Sequence, residues 1–210
     1  MVYRIKFLIA IGLAVICFVA QAEKAEIKWI EGTHYFQITP PVHASRPPSE
    51  TKIVEFFWYG CGHCFDFEPA LGAWKKNINP EIRFDQIPAV FDRKWAPHAR
   101  AFYTAKKLKI LDNFHAELFN ALHVRKEKIY TEKQISAFFI KHGVEEDVFD
   151  EVYHSFEIDV SVRKAMSLTR ASGISGVPSM IVNGQYRTSV RNTGSFENLL
   201  NVVDYLATKK

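Results

Sequence analysis

The segment that most constrains the fold is KIVEFFWY, residues 52–59. It is dense in β-branched and aromatic side chains and lacks the polar alternation of a strand with one wet face. It therefore reads as a central strand buried on both faces. Gly60 ends it, and Cys61-Gly62-His63-Cys64 follows at once. Residues 63–76 then read as a helix, with Phe67, Leu71 and Trp74 recurring at i, i+4 and i+7, and with Pro69 expected to kink it. A buried strand thus delivers two thiols to the opening of a helix.

Around this unit the pattern changes twice. Upstream, a short strand over Tyr35 to Ile38 gives way to a loop containing Pro40, Pro41, Pro47 and Pro48. Downstream, EIRFDQIPAVF (81–91) is a second candidate central strand. From Trp95 to Ala171 the periodicity is helical. Asp112 is placed as the N-cap of a helix carrying Phe114, Leu118 and Ala121. Thr131 and Gln134 form a capping-box pattern ahead of Ile135, Phe138 and Phe139, with a stop at Gly143. Val148, Val152 and Phe156 mark a further helix, and Val162 to Leu168 one more that closes at Gly173. Strands return in SMIVNGQYRTS, where Asn183-Gly184 between apolar runs signals a hairpin. Ser195 caps a last amphipathic helix with Phe196, Leu199, Leu200, Val203 and Leu206. The helical block between two αβ-type halves reads as an insertion, so the expected division is 23–94 with 172–210 as one discontinuous domain and 95–171 as the insert.

The first 22 residues read as an export signal. Arg4 and Lys6 precede the apolar run Phe7 to Ala20, too short for a comfortable membrane span, and Ala20-Gln21-Ala22 supplies a small-x-small cleavage site. An uncleaved anchor is the alternative. The formal charge is +4, of which Arg4 and Lys6 account for two. So balanced a chain, without a basic stretch interleaved with stacking aromatics, does not point to nucleic acid. Export to an oxidising compartment permits disulfides. Cys17 lies in the signal, and bulky Ile16 before it argues against lipid attachment, so Cys61 and Cys64 are the thiols left for one bond.

Residues i and i+3 at a helix start bring their Cα atoms to roughly 5–6 Å, within disulfide range. Cys61 sits where unpaired backbone N–H groups and the positive end of the helix dipole stabilise an anion, and a protonated His63 adds charge nearby. Each unit by which a thiol pKa falls is about 1.4 kcal/mol in favour of thiolate. A stabilised thiolate favours the reduced pair and makes its disulfide a better oxidant. Two other readings stand beside this one. A disulfide closing so small a loop contributes only about 2 kcal/mol as a staple. A zinc site would need two further ligands, and His34, His98, His115 and His123 are scattered without ligand spacing.

The stretch VEFFWYGCGHCFDFEP, the helical insertion and GVPSMIVNG after it resemble the DsbA-like periplasmic thiol:disulfide oxidoreductases, of thioredoxin fold, over essentially the whole mature chain. The resemblance implies an α/β fold, a central mixed sheet flanked by helices with an all-helical insert. It implies Cys61 as the exposed nucleophile, Cys64 as the buried resolving thiol, and His63 as stabiliser of the Cys61 thiolate. Glu55 matches a buried acid that relays protons to and from Cys64, since a carboxylate in that apolar run is otherwise expensive; an edge-exposed Glu55 facing solvent is the alternative. Val177-Pro178 matches a loop whose cis peptide packs against the disulfide and whose Val177 backbone pairs with an extended substrate. Without it, Pro178 merely starts a strand. Gly62 departs from the proline most often found there and gives the Cys-Gly-His-Cys of protein disulfide isomerases; glycine loosens the turn and bears on oxidising strength.

The expected function is donation of the Cys61–Cys64 disulfide to exported, folding proteins with free thiols. No organic cofactor or metal is expected, and the chain is expected to be a monomer. The resemblance implies reoxidation by a DsbB-like membrane quinone reductase. An isomerase or reductase of the same fold is one rival; isomerases of the DsbC type carry a long N-terminal dimerisation domain that residues 23–50 cannot supply. A non-catalytic chaperone with an aromatic groove is the other. Trp58 and Tyr59, nearest the cysteine, are the candidates to border a groove. His98, His115 and His142 read as ordinary surface or core residues, and residues 125–133 as a solvated face.

Overall fold

The apolar run at 52–59 forms β2 (Lys52–Phe57), paired on one side with β3 (Arg83–Pro88) and on the other with β4 (Ser179–Val182) in a computed structural model that describes residues 29–42 and 50–209. The export signal, Cys17 and the prolines at 47 and 48 lie outside the described residues. β1 (Phe36–Gln37) and β5 (Tyr186–Ser189) complete a five-stranded sheet in the order β1-β5-β4-β2-β3. β2 and β3 run parallel, and the other pairings are antiparallel.

Both faces of β2 are covered, as its composition requires. On one face Ile53 joins Phe67 and Leu71 of α1 (Gly62–Asn77) and Leu199, Val202 and Val203 of α8 (Phe196–Thr208). On the other, Val54 and Phe56 join Ile181, Ala89 and Ile174. The inserted helices are α2 (Ala96–Lys107), α3 (Leu111–His123), α4 (Glu132–Lys141), α5 (Glu146–Tyr153) and α6 (Phe156–Ala171). Their core, rich in Phe114, Phe119, Phe138, Phe139 and Phe149, is continuous with Phe57, Tyr59 and Cys64. Cys64 therefore lies at the seam between sheet and insert.

Local signals set several boundaries. Thr131 and Gln134 form the reciprocal capping box of α4, and Ser195 caps α8 by accepting the N–H of Asn198. Asn183 and Gly184 open the three-residue β4–β5 turn with left-handed φ of 56° and 68°, and the N–H of Gln185 closes it on the Val182 carbonyl at 3.0 Å. Elsewhere the expectations need correcting. Asp112 is not the N-cap of α3 but lies in its first turn, after Ile110. The helix expected to run through Val148, Val152 and Phe156 stops at Tyr153, and Ser155 caps a new one by accepting the N–H of Ile158. The buried face of α5 is Phe149 and Tyr153, whereas Phe156 is 77 % exposed. A short helix, α7 (Val190–Thr193), follows the hairpin unannounced by any periodicity.

Candidate active site

Cys61 is the N-cap of α1. Its extended backbone (φ −94°, ψ 114°) lets the chain leave β2 and turn into the helix, and its N–H donates to the carbonyl of Trp58 at 2.9 Å. Gly60 is required in that turn by close approach: a Cβ there would lie 2.5 Å from the Trp58 ring. Trp58 in turn stacks on Trp95, with ring centroids 4.2 Å apart.

Both cysteines are free thiols in this structure. Sγ of Cys61 accepts the backbone N–H of Cys64 at 3.3 Å, in the position where an N-cap oxygen ordinarily accepts. In its thiol form Cys61 also donates to the carbonyl of Val177 at 3.5 Å. The Cys64 side chain donates to the Cys61 sulfur, and the backbone N–H groups of Cys64 and His63 and the His63 charge add to it; against burial, they pull the Cys61 thiol down to about 6. Cys64 is fully buried, and desolvation, followed by the Cys61 anion beside it, pushes its thiol well up. The two sulfurs are thus polarised in opposite directions, one toward thiolate and one toward thiol.

Glu55 is buried in mid-strand, so the solvent-facing alternative does not apply. The parallel β2–β3 register sets Glu55 opposite Gln86, whose Nε2 donates to Oε2 of Glu55 at 2.8 Å. Oε1 is buried and has no hydrogen-bond partner among the described residues. Burial, reinforced by the negative charge of Glu68, raises the Glu55 carboxyl to about 8. The carboxyl is close enough to Cys64 to raise that thiol electrostatically.

Other polar side chains gather under the helix. Oη of Tyr59 and Nδ1 of His115 are 2.9 Å apart, and Nε2 of His115 is 3.2 Å from Oε1 of Glu68. Because a carboxylate oxygen accepts, Nε2–H is the donor to Glu68 and Nδ1 accepts the Tyr59 hydroxyl. His123 stacks on Phe65 and places Nε2 2.7 Å from the Tyr59 carbonyl. None of these contacts is legible in sequence, since α3 supplies one partner and either α1 or Tyr59, between β2 and α1, the other, 47 to 64 residues apart.

The Val177–Pro178 peptide is cis, and the loop it belongs to lies against Cys61. The N–H of Val177 has no partner among the described residues. A groove of about 300 Å³ opens here between His63 and the Val177–Pro178 loop on one side and Ser189, Val190 and Arg191 on the other. Tyr59 is fully buried and borders no groove, and Trp58, half-buried and stacked on Trp95, is not part of this lining. Among the described residues no three His, Cys, Asp or Glu side chains are grouped as metal ligands would be.

Residues 86–203 match the family of DSBA-like thioredoxin domains. The chain is similar to the thiol:disulfide interchange protein DsbA of Azotobacter vinelandii, at 36% identity over 83% of this chain and 81% of that protein. It is similar to that of Burkholderia cepacia at 33% identity, over 95% of this chain and 92% of that one. Among solved structures, Pseudomonas aeruginosa DsbA superposes with a TM-score of 0.79 at 34% identity, covering 85% of this chain and 93% of that chain. Oxidoreductase DsbA of Xylella fastidiosa superposes with a TM-score of 0.78 at 27% identity, covering 87% and 97%.

Proposed function

This chain belongs to the DsbA family of thiol:disulfide oxidoreductases, and on that premise we propose that it oxidises proteins newly exported to the periplasm, with the Cys61–Cys64 disulfide as its only redox group. The observation that carries the assignment of roles is the opposite polarisation of the two sulfurs, Cys61 pulled down to about 6 and Cys64 pushed up. A client thiolate attacks Sγ of Cys61, forming a mixed disulfide and breaking the Cys61–Cys64 bond. The electron pair leaves on Cys64, which takes up a proton because burial disfavours its anion. The client's second thiolate then attacks the client sulfur of the mixed disulfide, and Cys61 departs as the stabilised thiolate. The client loses two electrons and the protein gains them.

Glu55 is the group that carries the Cys64 proton. With a carboxyl at about 8 it exchanges protons near neutral pH inside a dry core, which an ordinary carboxylate does not. His63 lowers the charge cost of the Cys61 anion. The client runs as an extended segment along Val177, pairing with its free N–H; a disulfide has no S–H, so in the oxidised protein the Val177 carbonyl is also available. We assign residues 23–94 and 172–210 to the thioredoxin-like domain and 95–171 to the insert, residues 1–22 to a cleaved export signal, and reoxidation to a DsbB-like membrane quinone reductase. The protein acts as a monomer without metal or organic cofactor.

The test is catalysed oxidation of a reduced, unfolded protein by the mature chain in an oxidising thiol buffer. Turnover at substoichiometric protein that vanishes in Cys61→Ser is the expected result. A Cys61→Ser variant that loses this oxidation but keeps full biological activity would support a chaperone role instead.

A further inference from the structure

The groove beside Cys61 is unusual in its charge. Its far wall carries Arg191, an exposed guanidinium, and no acidic side chain lines it. Arg83, Arg100, Arg125 and Arg163 each meet a carboxylate; Arg191, like Arg93, Arg170 and Arg187, meets none among the described residues and is the one of these four that lines the groove. The adjoining cleft shares Ser175 and Ser189 with the groove and is lined by Arg187, again with no acid. Val177, Pro178 and Val190 give the groove apolar surface that suits a short methylene stem, and His63 and Gly176 complete the lining.

We propose that this groove selects client segments bearing an Asp or Glu close to the reacting cysteine, with Arg191 reading the carboxylate and Val190 packing against its stem. The inference rests on the reading that clients dock along Val177. Val177 lines the groove and its carbonyl is 3.5 Å from Sγ of Cys61. An extended chain advances about 3.3 Å per residue, so a side chain one or two positions from the client cysteine falls within the groove. A basic residue there faces Arg191 and is disfavoured.

The experiment measures how fast the oxidised protein is reduced by synthetic two-cysteine peptides that carry Glu, Gln or Lys beside one cysteine. Each rate is divided by that peptide's rate with a neutral small-molecule disulfide, which removes differences in intrinsic thiol reactivity. At low salt the Glu peptide is expected to exceed the Lys peptide about two- to fivefold, as exposed charge pairs allow, and the ratio should fall toward one as salt screens it. Arg191→Gln should flatten the ratio and Arg191→Glu reverse it. A Glu-to-Lys ratio near one at low salt, or one unchanged in Arg191→Glu, overturns the proposal. If Arg191→Glu does not fold, Arg191→Gln and the salt series decide. Equal reaction with all peptides removes only the charge preference; reaction with none removes the oxidase reading with it.

Discussion

The sulfur of Cys61 and the backbone nitrogen of Cys64 lie 3.3 Å apart, so the nucleophile of this protein is also the cap of its own helix. A thiolate serves that position better than a thiol, because it accepts the orphan N–H groups of the first turn with a full charge. The largest contribution to the low Cys61 pKa is nonetheless the side chain of Cys64. In the reduced protein, Cys64→Ala should therefore move the ultraviolet thiolate titration of Cys61 upward from about 6. Cys64→Ser retains a hydroxyl donor and should move it less. Midpoints in both variants that stay at about 6 would assign the depression to the backbone N–H groups and His63 instead.

Glu55 gives a distinct pH dependence. Its carboxyl is held protonated to about 8 in the folded chain, whereas an unfolded glutamate releases its proton near 4.3. The folded state thus binds more protons between those values, and this contribution to stability is present below the unfolded value and lost as pH rises through about 8. Glu55→Gln, neutral throughout, should match the native chain at low pH and exceed it increasingly above, with a slope of up to about 1.4 kcal/mol per pH unit. Denaturant midpoints measured from pH 4 to 9 test this; parallel curves would mean that Glu55 is not held neutral.

Gly62 is the first residue of α1 and follows an extended Cys61, the conformation that a following proline demands. Its N–H is not among the groups that lower the Cys61 pKa, and a Cβ there would come no closer than 4.0 Å to His123. Gly62→Pro should then stabilise the fold by about 0.4–1 kcal/mol through the unfolded chain. A rise in thermal midpoint of the reduced protein is expected, and a fall would show a strain that the backbone does not suggest.

Tyr59→Phe removes the hydroxyl that meets Nδ1 of His115 and leaves that buried nitrogen unpaired. The expected loss is about 1–3 kcal/mol in chemical denaturation. His115→Phe in the Tyr59→Phe background should recover part of it, since no acceptor is then stranded. Additive losses would show that the two side chains do not act as a pair.

The features legible in sequence were those whose cause is local. The apolar run at 52–59 announces burial on both faces, the pair Cys61 and Cys64 announces a helix start, and Thr131 with Gln134 and Asn183 with Gly184 announce a cap and a turn. The insert was legible as helical but not in its facing: Val148 and Phe156 share a spacing with Val152, yet Ser155 restarts the helix and turns Phe156 outward. Glu55 was visible as an anomaly, but its partner Gln86 depends on β2–β3 register, 31 residues away. Arg191 sits on a four-residue helix after the hairpin, too short for a periodic signal, and meets the site only through the sheet.

The central claim is that stabilising one sulfur as an anion makes the disulfide between the two a strong oxidant, and the reduction potential of the Cys61–Cys64 pair, measured by equilibration with a defined thiol–disulfide buffer, tests it most directly. A potential well above the roughly −270 mV of thioredoxin is predicted. A value at or below that level, with the Cys61 thiolate titrating in the ordinary thiol range, would contradict it.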